Sequence, residues 1–92
     1  MKEIDYITRG ETSYVVRVKG MGYYAHEQCG EVTAYVDMPE KAKWFKDKNN
    51  ARVLVDMLMS QESVVRCDIY EIEYEFVRLL AIKNRESFTK GE

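Results

Sequence analysis

The residue types able to hold a metal or act as a nucleophile are few in this chain: His26, Cys29 and Cys67. His26-x-x-Cys29 can set an imidazole beside a thiolate, but a structural zinc site closes with four ligands, so Cys67 and a carboxylate such as Glu27 or Glu31 would have to complete it. Nothing in the spacing demands that arrangement. The three read as a histidine beside a turn and two free thiols, and no metal or other cofactor is expected. A Cys-His dyad would also need an orienting group and oxyanion donors, which no local motif announces. Gly20-x-Gly22 lacks the third glycine and the helix of a phosphate-binding loop, and reads as a hairpin turn. No catalytic residue is assigned and no enzymatic activity is expected.

Two other patterns suit a binding surface. In Tyr70-Glu-Ile-Glu-Tyr-Glu-Phe76 the acidic and apolar residues alternate, so a strand carries Glu71, Glu73 and Glu75 on one face. Alternate strand residues stand about 6.8 Å apart, and such a row of carboxylates can imitate the charged backbone of a nucleic acid. Its partner would be a basic groove on a nucleic-acid-binding protein. The plainer alternative is a wet sheet face, partly balanced by Arg17 and Lys19 on a neighbouring strand. The second pattern is the seven tyrosines, too many to bury in a small core with every hydroxyl satisfied. Tyr23 and Tyr24 are the candidates for a protein interface, since neighbours on a strand face opposite ways and one of them must point outward. Stacking of bases on exposed rings is weak without basic residues around them.

The elements that must position these groups follow from periodicity. Residues 13–19 alternate as a half-buried strand, 23–26 return after the glycine pair, and 31–36 are rich in β-branched and aromatic residues. Residues 4–8 read as a further edge strand. A helix over about 47–60 is predicted, capped by Asp47, with Ala51, Leu54, Val55, Leu58 and Met59 along one stripe. The strand 64–76 changes phase near Ile69-Tyr70, which calls for a bulge or for cover on both faces. Residues 77–82 read equally as more strand or as a short C-terminal helix, and 87–92 as a flexible tail. The fold class is therefore α+β: an antiparallel sheet of three to five strands with the helix packed on one face, in a single domain spanning 1–92.

With 92 residues, 46% hydrophobic and a net charge of −2, the chain has no excess of positive charge to draw a nucleic acid, so direct nucleic-acid binding is disfavoured. The opening residues lack the pattern of a secretion signal, and no apolar run is long enough to span a membrane, so a cytoplasmic location without membrane contact is expected.

Asp37, Ala42, Phe45, Asp47 and Ala51 form a strand exit, an Ala-x-x-Phe step, a polar cap and a helix that starts with alanine. This pattern resembles that of small uncharacterised proteins encoded by phages and prophages of Gram-positive bacteria, although Asn49-Asn50 stand where acidic residues are common there. Physically, Ala42 and Phe45 would dock the helix start onto the sheet. The resemblance transfers no catalytic residue. It implies a small accessory factor that binds and inhibits or modulates a host protein. The alternative, read from the residues, is a structural or regulatory homo-oligomer, such as a homodimer, that self-associates through an open sheet edge or the apolar segment 77–82.

Overall fold

The computed structural model describes residues 11–28, 31–75 and 78–90. Strands β1 (Glu11–Val18), β2 (Gly22–Gln28) and β3 (Glu31–Val36) form a meander, followed by a short 3-10 turn at Pro39–Lys41 and the helix α1 (Lys48–Met59). Two long strands, β4 (Arg66–Glu75) and β5 (Arg78–Thr89), complete one five-stranded antiparallel sheet in the order β3-β2-β1-β4-β5. The α+β class holds. The edge strand expected at 4–8 lies outside the described residues.

The β1–β2 reversal depends on glycine at two points, for different reasons. Gly20 has φ +85° with open space around it, whereas Gly22 has φ +116° and its missing Cβ would lie 2.7 Å from the Val36 carbonyl oxygen. Beyond Arg17↔Tyr23 the register of β1 with β2 ends. The chain entering α1 takes up the backbone groups there: Tyr14 and Phe45 exchange two N–H···O bonds of 2.8 Å, and Lys43 N–H donates to Tyr24 at 3.0 Å. The Phe45 ring stacks 6.1 Å from Tyr24, and Phe45 packs against the core. Phe45 is thus an anchor at the helix start.

Asp47 caps α1 by accepting from Asn49 N–H at 2.9 Å. The predicted stripe is buried at Ala51, Leu54, Val55 and Leu58, which share one cluster with Val16, Val18, Tyr24, Val64, Cys67 and Ile69. Met59 packs half-buried against it.

β4 pairs with β1 through eight consecutive residues without a slip, from Glu11↔Tyr74 to Val18↔Cys67. The change of phase is therefore no bulge in β4. Cys67 and Ile69 are buried on the face that joins the cluster, while Ile72 and Tyr74 are buried on the other, together with Val15 and Ser13. Part of that second face is covered by the segment before α1: Trp44 lies 4.4 Å from the Tyr74 ring and donates its indole N–H to Pro39 at 2.9 Å.

The alternative of a C-terminal helix is overturned, because residues 78–82 belong to β5. Register shifts opposite Glu71/Ile72 and Glu73/Tyr74 insert an extra β5 residue at Lys83 and at Leu80. Two bulges so close together break the period-2 pattern, and the apolar run then resembles one helical turn. Ser87, Phe88 and Thr89, expected in the tail, lie in β5 opposite Asp68, Cys67 and Arg66, and Phe88 packs against the core.

The two glycines give a graded prediction. Gly20→Ala is expected to cost about 1–2 kcal/mol, the penalty for a side chain at positive φ. Gly22→Ala is expected to cost more, since a backbone oxygen blocks its Cβ. Urea denaturation of both variants checks the order.

Candidate functional site

The sheet carries charges of opposite sign on its two faces. Alternation along β4 puts Glu71, Glu73 and Glu75 on the face of Cys67 and Ile69, and the continuous β1–β4 register fixes what lies beside them. Glu71 has Tyr14 on one side and Asn84 on the other; Glu73 has Thr12 and Ala81. Arg17, expected to help balance the row, is the partner of Asp68 and stands on the opposite face. Among the described residues no ion pair reaches Glu71, Glu73 or Glu75. The three carboxylates are half-buried; the cross-strand neighbours of Glu71 and Glu73 carry no positive charge, whereas Arg78 is the β5 partner of Glu75.

Glu71 borders a depression of about 260 Å³ lined also by Tyr14, Lys48, Ile69, Asn84, Arg85 and Glu86. Lys48 sits at the first position of α1, where a cation opposes the helix dipole and no acidic residue lies in the first turn. Glu86 compensates from β5 with a 2.8 Å ion pair. The bond to Glu86 holds the Lys48 amine above its ordinary pKa, and the same bond lowers that of the Glu86 carboxyl.

Of the paired tyrosines, Tyr24 is 1% exposed and belongs to the core, which removes it from any surface role, while Tyr23 is the outward member on the second face. The Tyr23 ring lies 6.0 Å from that of Tyr70, and the Arg17 guanidinium carbon is 5.7 Å from its centroid. Burial raises the Tyr23 pKa most, with Tyr70, Asp68 and Glu40 adding to the rise and Arg17 opposing it.

Next to these rings the register assembles a group that sequence reading missed. Arg17, Lys19, Arg66 and Arg85 surround Asp68 in a depression of about 190 Å³. Asp68 is buried and accepts from Arg66 Nε at 3.3 Å, while Arg66 also donates to Ser87 Oγ at 3.2 Å. Arg17, Lys19 and Arg85 are exposed, and no ion pair among the described residues engages them. The alternation of Arg17 with Val16 and Val18 was the one local signal of this group.

The candidate metal and thiol residues do not converge on a described site. Cys67 is buried in the cluster, His26 is exposed on β2, and Cys29 lies outside the described residues. Among the described residues no group of His, Cys, Asp and Glu side chains could hold a metal ion. Burial pushes the Cys67 thiol up to about 11, well away from a reactive thiolate. No described helix is long and apolar enough to cross a membrane.

Two predictions follow from these environments. Cys67 is expected to resist a thiol reagent in the native protein and to react on unfolding, as read by mass-resolved labelling at that peptide. Glu86→Gln is expected to cause a small loss of stability near neutral pH. The lowered Glu86 pKa means its contribution is present above the unfolded value of about 4.3 and lost as pH falls through the folded one. The raised Lys48 pKa confines the amine's share to the region below about 10.4, lost as pH rises through the folded value. Denaturation of both proteins across this range should show the difference vanish at either end. In comparison with known proteins, no family model, curated protein or solved structure matches this chain.

Proposed function

We infer that this chain is a small, non-catalytic protein-binding module whose acidic strip, Glu71, Glu73 and Glu75, engages a basic surface of a host protein. The observation that supports it is the composition of the strip's flanks. Thr12, Tyr14, Ala81 and Asn84 lie beside Glu71 and Glu73, while Lys48 attracts Glu71 across the depression and Arg78 is the β5 partner of Glu75, so Glu73 above all stays available to a partner. In this reading α1 lies across the first face over Cys67 and Ile69, and the strip begins where that cover ends. A row of carboxylates at strand spacing suits a groove built for a nucleic-acid backbone. The setting is that of a phage or prophage accessory factor acting on a cytoplasmic protein of its host, inhibiting or modulating it.

Self-association through the β5 edge fits less well. β5 is an edge strand with two bulges, and Lys83, Asn84, Arg85 and Glu86 along it are charged or polar, features that blunt strand addition.

The test is affinity capture from a Gram-positive host lysate with wild type and with Glu71, Glu73 and Glu75 all changed to Gln, quantified by mass spectrometry. A partner held by the strip is expected to fall about tenfold or more with the variant, and to be released at high salt. Equal capture by both proteins sinks the proposal.

A further inference from the structure

On the other face of the sheet, the geometry points to a binding site for single-stranded nucleic acid, with the phosphates held by Arg17, Lys19 and Arg85 and a base stacked on the Tyr23–Tyr70 pair. Arg17 and Tyr70 stand on the face opposite the acidic strip, Arg85 also borders the depression beside Glu71, and the site does not depend on the function proposed for that strip.

Three observations carry it. First, four cations line one depression around a single carboxylate. Arg66 is committed to Asp68 and Ser87, which leaves Arg17, Lys19 and Arg85 converging without an ion-pair partner among the described residues. Like charges gathered in this way repel one another, and an entering anion relieves that repulsion. Second, an aromatic platform adjoins the cations on the same face. Tyr23 and Tyr70 stand 6.0 Å apart, half-buried, with Arg17 already against Tyr23 and Arg85 the β5 neighbour of Tyr70. A backbone-tracking charge beside an open ring is the combination by which single strands are bound without sequence preference. Third, Asp68, the one acidic side chain lining the depression, is buried and already accepts from Arg66, so the exposed charge of the depression is cationic. A duplex presents its bases stacked and paired, so the rings would gain little from it; a single strand offers both groups at once.

The experiment is fluorescence anisotropy of a labelled oligothymidylate with the full chain at about 50 mM and about 200 mM salt. Saturable binding that weakens with salt is expected. Arg17→Ala and Arg85→Ala should each weaken it about tenfold and lower the salt slope by about one. Tyr70→Leu should weaken it about tenfold and leave the salt slope unchanged, whereas Tyr70→Phe should bind as wild type because the ring remains. Circular dichroism establishes that each variant is folded, and Tyr23→Leu replaces Tyr70→Leu if the latter is not. The variant with Gln at 71, 73 and 75 should bind the oligonucleotide at least as well as wild type, which separates this site from the acidic strip. Absence of saturable binding at the lower salt overturns the inference. So does competition by polyglutamate as strong as that by unlabelled oligonucleotide, which would indicate an acidic protein. Loss of the ring without effect, with inorganic phosphate displacing the probe, would reduce the site to a bare anion pocket and overturn it as well.

Discussion

The unbroken ladder between β1 and β4 decides which side chains share a face, and the rest of the molecule is arranged around that decision. Because side chains alternate, a slip of one residue would carry Cys67 and Ile69 away from Val16 and Val18 and turn Glu71 and Glu73 onto the opposite face. The penalty is steep at both ends of β4, since Cys67 and Ile69 are buried on one face and Ile72 and Tyr74 on the other. A strand that is apolar first on one face and then on the other has one register that buries both sets. That constraint explains how eight consecutive pairs form without a bulge while the neighbouring β4–β5 ladder slips twice.

Local conflicts are resolved at the edges of this ladder. β2 leaves β1 after two paired positions, and the Lys43–Phe45 segment bonds the backbones of Tyr14 and Tyr24 there. The same three residues put side chains on both faces, Phe45 against the core and Trp44 against Tyr74. The chain then enters α1 with Lys48 at the wrong end of a helix dipole, and Glu86 on β5 offsets it. Fixing the start of α1 thus draws on β1, β2 and β5 together.

The helix was legible in the sequence because cap, stripe and end signal agreed, and β4 because strict alternation leaves no other reading; even its change of face could be seen at Ile69-Tyr70. β5 was not legible, since its bulges at Leu80 and Lys83 erase the period that identifies a strand. The glutamate row could be read as a row, but its setting could not: Arg17 looked like a counter-charge until the register put it beside Asp68 on the far face. The basic depression was hidden for a similar reason. Its members come from the β1 strand, the turn after it, β4 and β5, and only cross-strand pairing brings them together, while a net charge of −2 averages them away.

Net charge is a poor guide for a sheet of this kind because β4 separates charge both by face and along its length. Arg66 and Asp68 stand at its start, with the cations of β1 and β5 beside Asp68 on the second face; Glu71, Glu73 and Glu75 follow on the first. The strip begins at the residue after Tyr70, where α1's cluster has taken Cys67 and Ile69 but no later β4 side chain. Partners at the two places would therefore approach from opposite sides, and Arg85 on the β5 edge borders both depressions. What links them mechanically is the β1–β4 ladder, whose register buries apolar residues on both faces and so resists a slip. Coupling between the two surfaces is therefore expected to run through the field of the charges across the sheet, which salt screens within about 8 Å at physiological ionic strength.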